Sequence, residues 1–487
     1  MAGRFRVSRR MVAVLIAVVA PIGLFVAALR VKGEPRPDVL FAAPQVATMP
    51  HVPHDGFDNS TWFCPGVPTG GRGLGGHVTI ANPLDTSLTG HITVYTDAKG
   101  VGSVEQAFEV QPRSTMEIDL RELQSSGLYA SAMVELGGGG GIVEQTALHS
   151  DGDTTTPCSN STSDTWYFAD NYTLGDSKED IIVTNPFPDD AILSFSFSST
   201  DATRTPNALQ GVPVAPHSVL VVSQDLLAKD EAVYSVTVTA SRGKVVAARA
   251  QNYAEERRGF SLSLGAPAAS TEWWFTGGWK DGANFERFSL YNPSDEDAQV
   301  QPVFLGVQDE NYSNAADLIT VPAGLVVSFS LNDVPSLPTG RHGVSFTSMN
   351  GIPFVVEMAV TKKEVTRSVT TVVLGVEQSF VTPGYYRWST AVGPSTATED
   401  ALVVMNLSFN DATVQISALG PGGETPIEGL EGVSIPAGGI ISISIPDDAG
   451  ALGHPLVILG DQPLLVQRLL PRNHNLEGRS ASLAMPG

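Results

Sequence analysis

The chain carries VTIANP at residues 78–83, and variants of this stretch recur as IIVTNP (181–186), FSLYNP (288–293) and LVVMNL (402–407). Each is an apolar run that ends in an asparagine, and successive asparagines lie 103, 107 and 114 residues apart. Short apolar runs bounded by turn-forming residues are typical of buried β-strands. The fixed spacing predicts one unit of roughly 100–110 residues, repeated four times.

The same landmarks surround each stretch in the same order. A Trp-containing opening precedes it and an alternating strand follows it. A Pro turn then leads to another strand, and an aspartate follows that strand in each copy (Asp119, Asp225, Asp333 and Asp447). Asparagine tolerates left-handed conformations and can cap a turn, and the aspartate suits the N-cap of a single helical turn. About seven short alternating strands per unit predict an all-β fold of four tandem immunoglobulin-like β-sandwich repeats. A β-propeller blade of about 40–50 residues would be too short.

One N-terminal segment predicts a membrane anchor. Residues 11–29 contain no charged residue, and four arginines precede them. A helix of that length spans a slightly thin hydrocarbon core, with a kink at Pro21, and the cationic flank predicts a cytoplasmic N-terminus and an ectodomain outside. The alternative is a cleavable signal peptide with a weak site at 26–28.

These observations predict a complete division of the chain. The segments are a cytoplasmic N-terminus (1–10), a transmembrane signal-anchor helix (11–29), a Pro-rich stalk (30–57) and four β-sandwich repeats (58–157, 158–266, 267–380 and 381–487). If the repeats stack end to end, we expect the anchor to carry a rod of about 100–160 Å.

Charge and cysteine usage bear on the partners and the compartment. The net charge of −22 predicts repulsion of nucleic acid, so no nucleic-acid partner is expected. Cys64 and Cys158 are the only cysteines, and in an oxidising compartment we expect them to form one structural disulfide. A reactive thiol pair is the alternative, but the CxxC spacing is missing.

No catalytic constellation stands out, and no cofactor, metal site or catalytic residue is predicted. Asp151–Thr155 fits the DxDxT pattern of aspartate-nucleophile phosphatases, but no α/β sheet surrounds it, so a polar interdomain loop is expected. Acidic turns at 189–190 and 295–297 are interpreted as solvated, with calcium binding as an alternative. The chain contains no GxSxG, no HExxH and no paired Cys/His spacing.

The tryptophans are the most informative candidates. All six lie at or near the openings of the repeats, where a large aromatic residue can fill the end of a sandwich. Trp273, Trp274 and Trp279 are too many for one such position, so an exposed platform that stacks on sugar rings is predicted there.

The opening Trp62–Gly66, the Asn-Pro strand ends and the predicted anchor together resemble a family of uncharacterised actinobacterial membrane-anchored proteins, known as a domain of unknown function. That resemblance implies a cell-envelope setting and supplies no site residues. We therefore expect a non-enzymatic envelope scaffold that binds glycan or protein. The alternative is an accessory enzyme of envelope polysaccharide metabolism with an unrecognised carboxylate site.

Overall fold

A computed structural model of the protein describes most of the chain beyond residue 48. The described residues are 49–53, 59–223, 230–254, 257–282, 284–307, 316–362, 369–381, 384–447, 450–473, 476 and 478–487, without the side chains of 379 and 380. Ala47–Gly487 form one compact unit. The predicted cytoplasmic segment, the anchor helix and nearly all of the stalk lie outside the described residues. Within the described ranges, no helix is both long and apolar enough to cross a bilayer.

The predicted all-β class is confirmed for the described part of the chain. Its helices are two short turns, α1 (Leu120–Leu123) and α2 (Gln378–Val381), with three 3₁₀ turns at Gly70–Arg72, Asn207–Leu209 and Leu331–Asp333. Asp119 is the N-cap of α1, where its carboxylate accepts from the backbone N–H of Arg121 at 2.8 Å. The prediction that Asp333 is the N-cap of the turn at Leu331–Asp333 is wrong. Ser330 is the N-cap of that turn, and Asp333 is the N3 residue whose side chain accepts from the Ser330 backbone in a capping box. Asp225 lies outside the described residues.

Segment 1 contains eight strands in two antiparallel sheets. The strands are β1 (Ser60–Pro68), β2 (Gly75–Asn82), β3 (Leu88–Thr96), β4 (Val104–Val110), β5 (Ser114–Asp119), β6 (Tyr129–Leu136), β7 (Ile142–Leu148) and β8 (Thr154–Pro157). The sheet that holds the opening tryptophan, here called the Trp sheet, has the order β1-β6-β3-β4. The sheet that holds the recurrent asparagine, the Asn sheet, has the order β5-β2-β7-β8.

Segment 2 repeats this arrangement. Its strands are β9 (Thr165–Asn171), β10 (Lys178–Asn185), β11 (Ala191–Ser198), β12 (Thr203–Arg204), β13 (Val212–Val214), β14 (Ser218–Ser223), β15 (Tyr234–Arg242), β16 (Val246–Tyr253) and β17 (Gly259–Leu264). The Trp sheet has the order β9-β15-β11-β12, with β13 also paired to β11, and the Asn sheet has the order β14-β10-β16-β17.

Segment 3 has the same strand order with one short addition. Its strands are β18 (Glu272–Lys280), β19 (Asn284–Tyr291), β20 (Ala298–Leu305), β21 (Ile319–Val321), β22 (Val326–Ser330), β23 (Gly340–Ser348), β24 (Val355–Lys362), β25 (Val369–Leu374) and β26 (Val376–Glu377). The Trp sheet has the order β26-β18-β23-β20-β21, and the Asn sheet has the order β22-β19-β24-β25.

Segment 4 fuses its two sheets through one long strand. Its strands are β27 (Tyr385–Ser389), β28 (Thr398–Asn406), β29 (Ala412–Gly420), β30 (Gly423–Pro426), β31 (Val433–Ile435), β32 (Ile440–Ile445), β33 (Leu456–Pro471), β34 (Arg479–Leu483) and β35 (Met485–Pro486). The first part of β33 pairs with β27 and β29, and its second part pairs with β28 and β34. The result is one nine-stranded sheet with the same neighbours as the separate sheets elsewhere.

The last strands of the four Asn sheets, here called the closing strands, are β8, β17, β25 and β34, and they meet around one central axis of the molecule. These closing strands contact one another in a cycle, β8 with β17, β17 with β25, β25 with β34 and β34 with β8. A hydrogen bond crosses each contact: Thr154 Oγ1 to Phe260 O (3.2 Å), Val372 N to Ser261 Oγ (3.4 Å), Ala481 N to Thr371 Oγ1 (3.4 Å) and Thr155 N to Ser480 Oγ (3.0 Å). The four segments therefore form a closed ring, and the expected end-to-end rod is wrong.

Ring closure changes the burial pattern that sequence alternation predicts. On β11 and β20 in the Trp sheets, buried and partly exposed residues alternate, as expected when one face packs on a core. On β7 and β16 in the Asn sheets nearly every residue is buried. These strands are covered on both faces, because the second face packs against neighbouring segments.

The recurrent asparagines act as buried clamps at the strand ends. Asn185 Nδ2 donates to the carbonyls of residues 189, 214 and 215 at 2.8–3.1 Å, and its Oδ1 accepts from the backbone N–H of residue 187. Asn82, Asn292 and Asn406 make the matching bonds in their own segments. None of the four has a positive φ, so the side-chain hydrogen bonds explain the recurrence and the left-handed conformation does not.

The first described residues lie beside the last ones at one end of the axis. Val52 N donates to Pro486 O at 2.8 Å, and Met49 is 6% exposed. Met49 also lines an apolar axial cavity of about 70 Å³ to which all four closing strands contribute residues, among them Pro157, Leu264 and Leu374. Residues 49–53 thus cover this end of the ring next to the C-terminal strand.

Candidate functional site

The structure separates the three tryptophans that the sequence brings together as a platform. Trp273 is 1% exposed and donates from Nε1 to Phe354 O at 2.7 Å, so it belongs to the core and cannot stack on a ligand. Trp274 is partly buried against the same core and donates to Glu272. Of the three, Trp279 alone lines an open cleft. The opening tryptophans Trp62, Trp166 and Trp388 are buried as well, as expected of residues that fill a sandwich end.

The cleft lies at the joint between segments 3 and 4 and has a volume of about 410 Å³. Segment 3 contributes β18, β23 and the edges of β24 and β25, and segment 4 contributes the start of β28, β33 and β34. The polar residues that line it are Trp279, Asp281, Asn284, Arg341, Lys362, Thr371, Glu399, Asp400, Ser442, Gln467 and Arg479. Since both segments supply side chains, the site exists only in the assembled ring.

Trp279 is held in place from three sides. A register shift between Phe275 and Gly278 bends β18, and the Trp279 backbone N–H donates to the buried carboxylate of Glu286 at 3.1 Å. The indole Nε1 donates to Asp281 Oδ2 at 2.6 Å, and the Arg341 guanidinium lies 4.5 Å from the centroid of the indole ring. These contacts fix the ring orientation before any ligand arrives.

Two arginines of the cleft share one carboxylate. Arg479 Nε donates to Asp400 Oδ1 at 2.9 Å, and Arg341 Nη2 lies 3.4 Å from Asp400 Oδ2. Arg341 also donates from Nε to Ser442 Oγ at 2.7 Å. Burial lowers the pKa of the Arg341 guanidinium, and Asp400 opposes that shift. Neither arginine makes a two-pronged contact with Asp400, so N–H groups remain for a further acceptor.

Gln467 supplies an unpaired polar side chain to the same cleft. It is 2% exposed, lies on β33 and packs against Gly277, where any Cβ would approach the amide to 2.3 Å. Its amide makes no hydrogen bond with any residue that the structure describes. The amide therefore faces the cleft with both its N–H donors and its carbonyl acceptor available to a ligand.

The corresponding joint between segments 1 and 2 is closed. Asp180 there accepts from the Tyr129 hydroxyl at 2.9 Å and pairs with Arg72 at 3.2 Å, and the remaining cavity is about 120 Å³. The predicted disulfide is present, with the Cα atoms of Cys64 and Cys158 4.5 Å apart, and it joins β1 to the residue that follows β8. The joint between segments 3 and 4 instead keeps a cleft of about 410 Å³, which is open to a ligand.

The other two joints contain buried ion pairs that the sequence patterns did not reveal. Arg249 makes a two-pronged contact with Glu357 at 3.0 Å between segments 2 and 3. Arg468 contacts both oxygens of Glu144 at 2.7 Å between segments 4 and 1. All four side chains are at most 2% exposed. The sequence did contain a signal for these pairs. Each of these four residues is a charged residue within a largely apolar strand, and the sign of the charge alternates from β7 to β16, β24 and β33.

A wider polar network surrounds the Arg249–Glu357 pair. Asp170 accepts from Arg257 at 2.8 Å and from Arg287 at 2.9 Å. Glu179 is 1% exposed, and neither of its oxygens makes a hydrogen bond of ordinary geometry with a described residue. Burial raises the pKa of Glu179 to about 8, although Arg249 opposes the shift. Glu179 is therefore mostly protonated at neutral pH.

The DxDxT stretch lies at the ring axis, and the expected polar interdomain loop is wrong because residues 152–155 are buried. Asp153 accepts from the His149 backbone at 3.0 Å and from Asn473 at 2.6 Å. Arg472, fully buried in segment 4, donates to Thr154 Oγ1 at 2.8 Å. Asp153 and Thr154 are therefore held by hydrogen bonds to other residues of the protein, which indicates a structural role for the DxDxT stretch.

Arg472 also ties the remaining segments together. Its guanidinium donates to the carbonyls of Phe260 in segment 2 and Thr370 in segment 3. Burial lowers the pKa of Arg472 to about 10. Among the described residues, no group of three or more His, Cys, Asp or Glu side chains is arranged to hold a metal ion.

Comparisons with known proteins add a family of unknown function. Residues 140–379 match the model of the "Family of unknown function (DUF5719)". No curated protein matches the chain. A solved structure titled "Crystal Structure of Thermotoga maritima 1070" is 14% identical, covers 23% of this chain and 96% of that chain, and gives a TM-score of 0.20. The chain is thus similar, over just under half of its length, to a family of unknown function, while actinobacterial origin and membrane anchoring remain predictions.

Proposed function

We propose that this protein is a non-enzymatic, membrane-anchored protein of the cell envelope, built of four immunoglobulin-like sandwich repeats, that binds glycan in the cleft between segments 3 and 4. The observation that carries the proposal is the pre-oriented indole of Trp279 beside the unpaired amide of Gln467. An aromatic face and a few convergent polar groups in a preformed cleft are the usual elements of a small-ligand site.

The carboxylates of the cleft support binding over acid–base catalysis. Asp281 accepts from the Trp279 indole and from Asn284, and Asp400 pairs with two arginines. Glu399 lies at the exposed rim. A glycosidase needs two carboxyl groups that face the substrate from opposite sides, whereas Asp281 and Asp400 are each engaged by donors of the protein itself.

The disulfide and the strongly acidic composition support the exported address. Protease treatment of intact cells tests the orientation. We expect loss of the C-terminal ring with retention of an N-terminal epitope. Protection of the ring with cleavage near the N-terminus would contradict it.

Binding is tested with the full chain on an array of neutral and acidic β-linked oligosaccharides. We expect Trp279→Ala and Gln467→Ala to reduce retention at least tenfold, because they remove the stacking face and the amide. Tyr386→Ala is the matched control, since Tyr386 is 49% exposed and does not line the cleft. Unchanged retention in the Trp279 variant, or none by the wild-type protein, would reject the proposed function.

A further inference from the structure

The arginines of the cleft between segments 3 and 4 bear on the charge of its ligand, and any inference about that charge rests on the proposed function. Arg341 and Arg479 bring two positive charges to one side of the cleft, and Asp400 is the carboxylate that they share. Their side chains are 13% and 31% exposed, so both are reachable and partly desolvated. Glu286 adds a further attraction to Arg341, and Asp400 is the carboxylate with which both arginines form an ion pair.

The hydrogen-bond geometry of the two guanidinium groups shows unused donors. Arg479 uses Nε for Asp400 and Nη1 for the Gly478 carbonyl. Arg341 uses Nε for Ser442 and one Nη2 contact of 3.4 Å for Asp400. A guanidinium has five N–H donors in a planar fork, so at least two N–H groups of each arginine have no partner among the described residues.

Other groups of the cleft do not consume these donors. Asp281 is held by Trp279 and Asn284, and Glu399 offers its backbone carbonyl, not its carboxylate, to Ser444. A carboxylate from outside is the acceptor that suits the free edges of the two arginines, because charge-assisted bonds to guanidinium are about twice as strong as neutral ones.

We propose that the ligand of this cleft is a carboxylated saccharide, with its sugar ring packed on the Trp279 indole and its carboxylate bound by Arg341 and Arg479. The Gln467 amide pairs with a hydroxyl or ring oxygen of the same sugar. The protein as a whole carries excess negative charge, so the preference for an acidic sugar comes from this local pair of arginines and weakens as salt screens it.

The test uses a matched pair of probes and the full chain. Cellotetraose and the same tetrasaccharide oxidised at C6 to glucuronate differ in carboxylate groups alone, and their affinities are measured by titration calorimetry at low and high salt. We expect the oxidised probe to bind about tenfold tighter at low salt, a difference of about 1.4 kcal/mol. High salt should reduce the ratio towards one.

Variants separate this inference from the proposed function. Arg479→Gln should lose the preference and keep the affinity for cellotetraose, whereas Trp279→Ala should weaken binding of both probes. Arg242→Gln removes an exposed arginine of segment 2 and should leave the preference intact, which controls for net charge. Equal affinities in the wild-type protein would overturn the inference and leave glycan binding standing. Binding of neither probe would overturn both.

Discussion

Replacing Glu179 by glutamine tests the buried network between segments 2 and 3. Burial places the pKa of Glu179 at about 8 in the folded protein, against 4.5 for an exposed carboxyl group. At any pH between these two values, the Glu179 carboxyl group therefore binds a proton when the protein folds. The stabilising contribution is fully present below pH 4.5 and is lost as the pH rises through 8. The direction is opposite to that of an ion-paired carboxylate.

The size of the effect follows from that difference in pKa. The difference between a pKa of 4.5 and one of about 8 corresponds to roughly 5 kcal/mol over the whole pH range. Between about pH 5.5 and 7.5 the linkage relation gives a loss of about 2–3 kcal/mol in the free energy of unfolding. Glutamine keeps the shape of the protonated side chain and does not titrate, so Glu179→Gln should not lose this amount.

The assay is urea denaturation of the full chain, followed by tryptophan fluorescence at about pH 5.5, 6.5 and 7.5. Other titrating groups are shared by the two proteins, so the difference between their unfolding free energies isolates Glu179. We expect that difference to change by about 2–3 kcal/mol in favour of the variant as the pH rises. Glu428→Gln, at an exposed position, should follow the wild-type curve. Parallel curves for wild type and Glu179→Gln would refute a raised pKa at this site.

Three further variants test the contacts that hold the ring. Replacing Cys64 and Cys158 by serine opens a loop with a sequence separation of 94, and denaturant titration should show a loss of roughly 4–5 kcal/mol, with no effect of reductant on the variant. Arg468→Met leaves the buried Glu144 carboxylate without its cationic partner and should lower the free energy of unfolding by about 3–5 kcal/mol. In a double-mutant cycle, adding Glu144→Gln should restore part of that loss. Asn185→Ala leaves buried carbonyls without a donor and should cost about 3 kcal/mol, measured as a lower melting temperature, and an unchanged melting temperature would exclude the clamp.

The strands were predictable because their signals are local. An apolar run that ends in Asn-Pro, or a period-two alternation such as that of β11, can be recognised without knowing its neighbours. The disulfide was predictable as well, since a chain with two cysteines has one possible intramolecular pairing. Burial of Trp273 was also foreseeable, because it occupies the position at which Trp62 and Trp166 recur.

The ring and the cleft depend on contacts between segments, which no local pattern encodes. Near-complete burial of β7 and β16 follows from packing around the axis, and their sequences alone fit an ordinary core strand equally well. Glu144 and Arg249 were visible as charges inside apolar strands, but their partners lie more than 100 residues away. Nothing in the sequence marks Gln467, because its role arises only where segment 4 meets segment 3.

The closed cycle of β8, β17, β25 and β34 has a consequence for how the chain can be cut and rejoined. In a linear array, removing a terminal repeat breaks one joint, whereas removing any segment of this circle breaks two and exposes axial strands on both sides. The two ends of the circle are within hydrogen-bonding distance at Val52 and Pro486, so a short peptide could join them. New termini placed between segments 2 and 3 would then give a circular permutant with the same joints, whereas a three-segment truncation should aggregate.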